Sequence, residues 1–450
     1  MDISIRDLSN NEVAIALELT WEVFLQFEAP DYSQEGINEF RCFLDNQDGM
    51  KELRFFGAFS HDKLVGTLAM RQSHISLLFV RKEFHRQGIA KKLFHHMLSQ
   101  IKSNEITVNS SPYALEFYGK LGFTATNTEQ VTNGIRYTPM LHPRRDFKIC
   151  ATSCPVILME GALGERIKRE FNISIDGMVA MASLVYEEKG RTALKSLWEE
   201  YIDISRKYHL PFIATTPTRR ANQERVKAAG YDATIIHRNV EFLQMLKEAG
   251  NTEMYVGGLL GCKGDAYTGE GALSTEQAKA FHSWQVNLFR DSKVDFLYAG
   301  IMPCLPEAIG MAMAMAETNI PYIISFTIQE DGKLIDGHTI DFAIHTIDNS
   351  VRNKPLGYMA NCVHPTIAHK ALSHPFNQTE TVRTRFIGIQ GNTSALSYSE
   401  LDGVHDLKES SPLDYANDTL KLVTDYHLQI VGGCCGTDGR HMEEIAKRLK

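Results

Sequence analysis

The chain has 450 residues, 43% of them hydrophobic and 23% charged, with a formal net charge of −8. That length predicts two domains, and the acidic balance excludes a general binder of nucleic-acid backbones, which needs a basic surplus. No apolar run approaches the ~20 residues that cross a bilayer, the first residues lack a secretory signal, and eight cysteines without small-scaffold spacing read as reduced, cytoplasmic thiols.

The first chemically informative stretch is HISLLFVRKEFHRQGIAKKLFHHML, residues 74–98. A strand-like run over 75–80, which includes Leu78, Phe79 and Val80, passes through a short loop to Gly88. Beyond it Ile89, Leu93, Met97, Leu98 and Ile101 share one helical face. A glycine ahead of a helix leaves backbone N–H groups aimed at an anion, aided by the helix dipole. Arg86, Lys91 and Lys92 add positive charge. A second strand and short helix follow in ITVNSSPYALEFYGKLGF, 106–123.

Together these segments resemble the GNAT acetyltransferase family over about residues 1–140. The family's pyrophosphate pattern is Arg or Gln, two residues, Gly, any residue, then Gly or Ala. His85, Gly88 and Ala90 occupy those places, His85 as a departure. The resemblance implies a mixed α/β fold that takes acetyl-CoA as cosubstrate. The cofactor would lie along Leu78, Phe79 and Val80 and over the loop of Arg86, Gln87, Gly88, Ile89, Ala90 and Lys91. Asn109 would sit beside the pantetheine arm, and Tyr118 would protonate the departing thiolate. The residues alone also allow Tyr118 to be a core aromatic beside Phe117 and Phe123. Glu28 and Asp31, in FEAPDYS, are candidates for the acceptor side. The sequence names neither the general base nor the amine.

Near residue 145 the texture changes. LHPRRDFKICATSCP has charge, two prolines and no sustained apolar period. It reads as a linker, 146–155, between a first domain over 1–145 and a second over 156–450. Cys150 and Cys154 have a C-x3-C spacing but no partner pair nearby, so they read as loop thiols.

From 156 onward, apolar runs alternate with longer amphipathic stretches. The runs are 156–161, 211–216, 254–261, 294–301, 321–328, 356–363, 385–392 and 428–436. Between them lie helical patterns such as 191–209. Eight buried strands separated by helical lengths predict a (β/α)8 barrel, with a doubly wound open sheet as the alternative. In such a barrel active sites form where strands end at the C-terminal rim. Cys362 ends the sixth run, in MANCVHP, and Cys434 with Cys435 ends the eighth, in IVGGCCGTDGRH. Three thiolates with an open fourth position make a catalytic zinc arrangement, whereas three inert core thiols are the plain alternative.

VGGCCGT, preceded some seventy residues earlier by ANCVHP, resembles the zinc signature of the homocysteine S-methyltransferase family over about 156–450. EGALGER, 160–166, matches that family's opening strand. The resemblance implies Zn²⁺ held by Cys362, Cys434 and Cys435, with a small-molecule thiol accepting a methyl group from an onium donor. Homocysteine would be the acceptor and methionine the product; the donor would be S-methylmethionine, S-adenosylmethionine or a betaine. Two departures bear on acceptor recognition. Glu160 and Glu165 replace the family's Asp and Thr, and Gly300 with Ile301 stands where the family carries a Glu-Thr pair. Glu160 or Glu165 would then hold the acceptor's ammonium group. The segment 215–225 reads as a solvated loop, with an anion contact through Arg219 and Arg220 as the alternative. The whole is expected to be a bifunctional transferase. The alternatives are a barrel acting on a different thiol or lacking methyl transfer, and a first domain that senses CoA.

Overall fold

The structure is a computed structural model describing residues 3–101, 105–143, 146–175, 177–250, 252–394 and 410–449. It divides into two units, 1–146 and 147–450, so the expected boundary at residue 145 lies outside the described residues.

In the first unit, runs rich in Phe, Leu, Val and Ala are separated by two-residue turns, His61–Asp62 and Gln72–Ser73. The first residue of each turn is left-handed, as tight hairpins require. The resulting strands are β1 (Ile3–Asp7), β2 (Arg54–Ser60), β3 (Lys63–Arg71) and β4 (His74–Val80), all paired antiparallel. β5 (Glu105–Ser110) pairs parallel to β4, and β6 (Thr124–Ala125) and β7 (Gln130–Thr132) both pair with β8 (Ile135–Pro143). Side chains alternate across this sheet. Phe55, Phe59, Leu64, Leu77 and Phe79 pack on the helix Asn10–Phe27, while Phe56, Val65, Leu68 and Ile75 pack on the helix Ile89–Gln100.

β4 and β5 touch only at His74/Thr107 and Ile75/Val108, after which they part. Residues 76–80 therefore keep β3 on one edge and face a gap on the other.

The second unit is a closed ring of eight parallel strands. They are β9 (Ile157–Met159), β10 (Phe212–Thr215), β11 (Met254–Gly261), β12 (Phe296–Met302), β13 (Tyr322–Phe326), β14 (Gly357–Asn361), β15 (Phe386–Gly391) and β16 (Ile430–Gly433). Each falls on one of the eight expected runs. The alternative open sheet is overturned by the pairing of β16 with β9, Ile430 to Ile157 and Val431 to Leu158. Alternation again divides the strands: Ile157, Met159, Ile213, Tyr255, Phe296, Tyr298, Met359 and Ile430 fill the interior. Leu158, Phe212, Val256, Leu297, Ile324 and Val431 pack outward against the helices.

The expected linker is different in the structure. Residues Phe147–Ser153 form a helix, and Phe147, Cys150, Ala151 and Cys154 join the interior cluster of the barrel. Phe147 stacks on Phe296 with ring centroids 4.0 Å apart. The loop thiols are thus buried ones, because the short apolar face of this helix is buried against the strand side chains. Among the described residues no helix is long and apolar enough to cross a membrane.

Candidate active sites

At the barrel's C-terminal rim the chain brings three sulfurs together. Cys362 follows β14 directly and Cys434 follows β16, with β15 between them. The Cys362 and Cys434 Sγ atoms are 2.7 Å apart and those of Cys434 and Cys435 4.0 Å; all three lie within 4.8 Å of one another. Two adjacent side chains can share one site because the strand ends at Gly433 and the chain turns at Gly436, whose φ of +81° suits glycine. Thr437 fastens the turn: its hydroxyl donates to the Cys434 carbonyl at 2.7 Å and accepts from Ala162 N–H at 3.0 Å. The Tyr415 hydroxyl lies 3.0 Å from both the Gly391 and Gly432 carbonyls, tying the ends of β15 and β16.

Backbone strain collects here. Cys362 and Ile301 have φ of +50° and +56°, a region costly for any residue with a Cβ and most for a β-branched one. Asn361 steadies both strand ends by accepting from Ile301 N–H at 3.1 Å and donating to Tyr298 Oη and Gln390 Oε1, each at 2.8 Å. Neighbouring thiols donating to Cys362, Cys434 first and then Cys435, hold its thiol well below the ordinary value. Cys434 is correspondingly pushed up. A proton-sharing cluster of soft donors, buried on one side and open at Cys435, suits a thiophilic divalent ion such as zinc.

The two acidic candidates differ. Glu160 is 2% exposed, and both its oxygens are occupied. Oε1 accepts from Thr215 N–H and its hydroxyl, and Oε2 from Trp198 Nε1–H at 2.9 Å and again from Thr215 N–H. Burial pushes its pKa up to about 7 against those donated bonds. Glu160 thus braces β9 against β10. Glu165 lies at the rim, accepting from Gly436 N–H at 2.7 Å, and partial burial followed by the nearby Cys435 sulfur raises its pKa. At Gly300 a Cβ would meet Leu259 Cδ1 at 2.9 Å, so the inner rim at β12 is apolar.

The segment 215–225 is not a solvated loop: Thr216, Thr218 and Ala221 are fully buried and Asn222 nearly so. Arg219 is half-buried, and its stem crosses Gly261 so closely that a Cβ there would meet Cγ at 2.6 Å. Its positive charge helps hold Cys362 low. Sequence reasoning missed Tyr267, whose hydroxyl hydrogen-bonds Cys362. It sits in a glycine-rich loop after β11, pinned by buried Glu307. That carboxylate accepts from Lys263 N–H at 2.8 Å and Leu273 N–H at 3.2 Å, and pairs with His282 at 3.0 Å. The glycines at the end of a barrel strand were the available signal.

In the first unit the gap between β4 and β5 opens on a cavity of about 650 Å³ lined by Leu77, Leu78, Phe79, Asn109, Tyr118 and Glu28. Nearby, Gly88 has φ +76° and opens the helix, and Arg86 is also left-handed at +59°. The N–H groups of Gln87, Gly88, Ile89 and Ala90 have no acceptor among the described residues, which leaves an anion cradle. His85 does not face it: its Nε2 bonds the Val80 carbonyl at 2.7 Å and so braces the loop. Tyr118 packs edge-on to Phe123 at 5.2 Å and lines the cavity. Burial pushes its phenol pKa up, keeping the proton on. Glu28, half-buried in the same cavity, is pushed up to about 7 by burial.

Both units resemble known proteins. Residues 157–449 match the family model of homocysteine S-methyltransferase, and residues 28–142 that of the acetyltransferase (GNAT) domain. A Drosophila melanogaster betaine–homocysteine S-methyltransferase is 24% identical over 185 residues. That match covers 38% of this chain and 53% of the relative, so the chain spans about half the length of the relative it matches. The metallated homocysteine methyltransferase MmuM from Escherichia coli shares the fold with a TM-score of 0.54 at 18% identity, over 68% of this chain and all of that one. The chain belongs to the homocysteine S-methyltransferase family through its barrel, and it carries a GNAT acetyltransferase domain ahead of it.

Proposed function

We propose that the barrel transfers a methyl group from an onium donor to a thiol, homocysteine giving methionine, and that the first unit acetylates an amine from acetyl-CoA. The observation that carries the first half is the convergence of Cys362, Cys434 and Cys435 within 4.8 Å at the barrel rim. Those three residues would hold Zn²⁺, which when bound lowers the pKa of an acceptor thiol and readies it as a nucleophile.

The chain's own groups orient the substrates. Glu165 faces the sulfurs and would take the acceptor's ammonium group, since Glu160 has its oxygens occupied. Arg219 would take its carboxylate. The apolar rim at Leu259, Gly300 and Ile301 would exclude water from the transferring methyl, which passes from onium to sulfur as the thiol proton leaves to solvent.

In the first unit the free N–H groups of 87–90 would hold the pyrophosphate, and the open edge of β4 the pantetheine arm. Glu28, ionised above about pH 7, would accept the amine's proton, and Tyr118 would donate to the leaving thiolate.

The deciding experiment incubates zinc-loaded full-length protein with homocysteine and, separately, S-methylmethionine, S-adenosylmethionine and betaine, reading products by mass. Methionine from any donor is expected. Its absence with all three, while another thiol is methylated, would replace the acceptor. A parallel amine panel with acetyl-CoA tests the first unit, and tight acetyl-CoA binding without transfer to any amine would make it a sensor.

A further inference from the structure

A second group of potential ligands lies at the other end of the barrel, far from the rim chemistry in the strand direction. Cys150 and Cys154 sit one helical turn apart in the plug, with Cys154 N–H donating to the Cys150 carbonyl at 2.9 Å. Their sulfurs are 3.1 Å apart and the residues are 0% and 2% exposed. Facing them is Glu253, the residue immediately before β11, and the two sulfurs and a carboxylate oxygen lie within 4.8 Å of one another.

Glu253 is half-buried and has no cationic partner among the described residues. Lys247, which lies over the Tyr255 ring, is committed to Asp295 at 2.7 Å. The Tyr255 hydroxyl donates to Glu253 Oε1 at 2.5 Å and so fixes the carboxylate toward the sulfurs. Two soft sulfur donors and one oxygen donor thus converge on a single point, a set that matches a thiophilic divalent ion. We propose that Cys150, Cys154 and Glu253 bind a Zn²⁺ ion that fastens the helix Phe147–Ser153 to the base of the barrel.

Two thiolates and one carboxylate are a zinc donor set, and a solvent molecule would complete the tetrahedron. Binding releases the two thiol protons to solvent and leaves the oxidation states unchanged. Tyr255 is the outer partner that orients the oxygen ligand. A disulfide between the same sulfurs would need an external oxidant and would give Glu253 no task.

The test is metal stoichiometry by mass spectrometry on the full chain after zinc loading and dialysis. Wild type should hold two zinc ions per chain, the Cys434→Ser/Cys435→Ser variant one, and the Cys150→Ser/Cys154→Ser variant one. In the Cys434→Ser/Cys435→Ser variant, cobalt substitution should give a thiolate-to-metal charge-transfer band, which Cys150→Ser/Cys154→Ser added to it should abolish. If the plug cysteines prove necessary for folding, Glu253→Gln in the rim variant keeps the shape and should weaken binding at least about 10-fold. The proposal falls if the rim variant holds no zinc and shows no cobalt band. It falls equally if a thiol count on that variant, unfolded under alkylating conditions, comes up two short.

Discussion

Replacing Cys434 by Ser keeps the side chain's size and removes one soft donor from a set of three. Loss of a supporting partner already costs 10–100-fold in metal affinity, so loss of a ligand should lower rim occupancy and methyl transfer by about 100-fold or more. Zinc titration and product formation check this together, and acetyl transfer should stay at the wild-type rate. In the first unit the informative residue is Glu28. Its pKa is raised from the ordinary carboxyl value to about 7, so the base form fills as pH rises through 7. Acetyl transfer should climb over that interval. Glu28→Gln should lose the ascending limb and about 10²-fold or more in rate, measured as a pH–rate profile. The same shift has the opposite effect on stability. The folded unit binds a proton that the unfolded chain releases near its ordinary value, so stability declines as pH rises from about 4.5 to 7.

At the scale of elements, the Gly-rich loop that carries Tyr267 hangs on Glu307 in the helix Leu305–Ala316. Glu307→Ala strips the acceptor from two loop amides and from buried His282. It should cost about 2–3 kcal/mol in denaturant unfolding and raise amide exchange over 262–273. The elements most legible in the sequence were the barrel strands, because buried parallel strands are short continuous apolar runs bounded by turns. The cysteine trio was legible for a related reason: both of its segments end such runs. Less could be read where burial does not follow a period. Phe147, Cys150, Ala151 and Cys154 make one apolar stripe barely two turns long, hidden between Asp146 and Pro155. Thr216, Thr218 and Asn222 are polar yet buried, because hydrogen bonds to Leu259 and the flanking backbone satisfy them. Glu160 was read as a binding group, and only the positions of Trp198 and Thr215 reveal its bracing role.

For the whole molecule, the division at 146/147 predicts two separable folding units. Full-length protein should unfold in more than one transition by calorimetry. Fragments 1–146 and 147–450 should each keep their own activity. A fragment starting at 156 should fare worse than one starting at 147. It loses Phe147 and two buried cysteines from the barrel interior, a change on the order of 3–5 kcal/mol, visible as a lower melting temperature.

The barrel closes where β16 meets β9, and only two residue pairs join those strands. Two of the three rim sulfurs sit at the tip of the closing strand, and the third waits across β15. A cation lodged among them would tie the end of β14 to the end of β16 across β15, beside a seam held by few pairs. Occupancy would act as a latch: starving cells of the ion should loosen this end first, turning a nutritional shortage into selective proteolysis around the final strand.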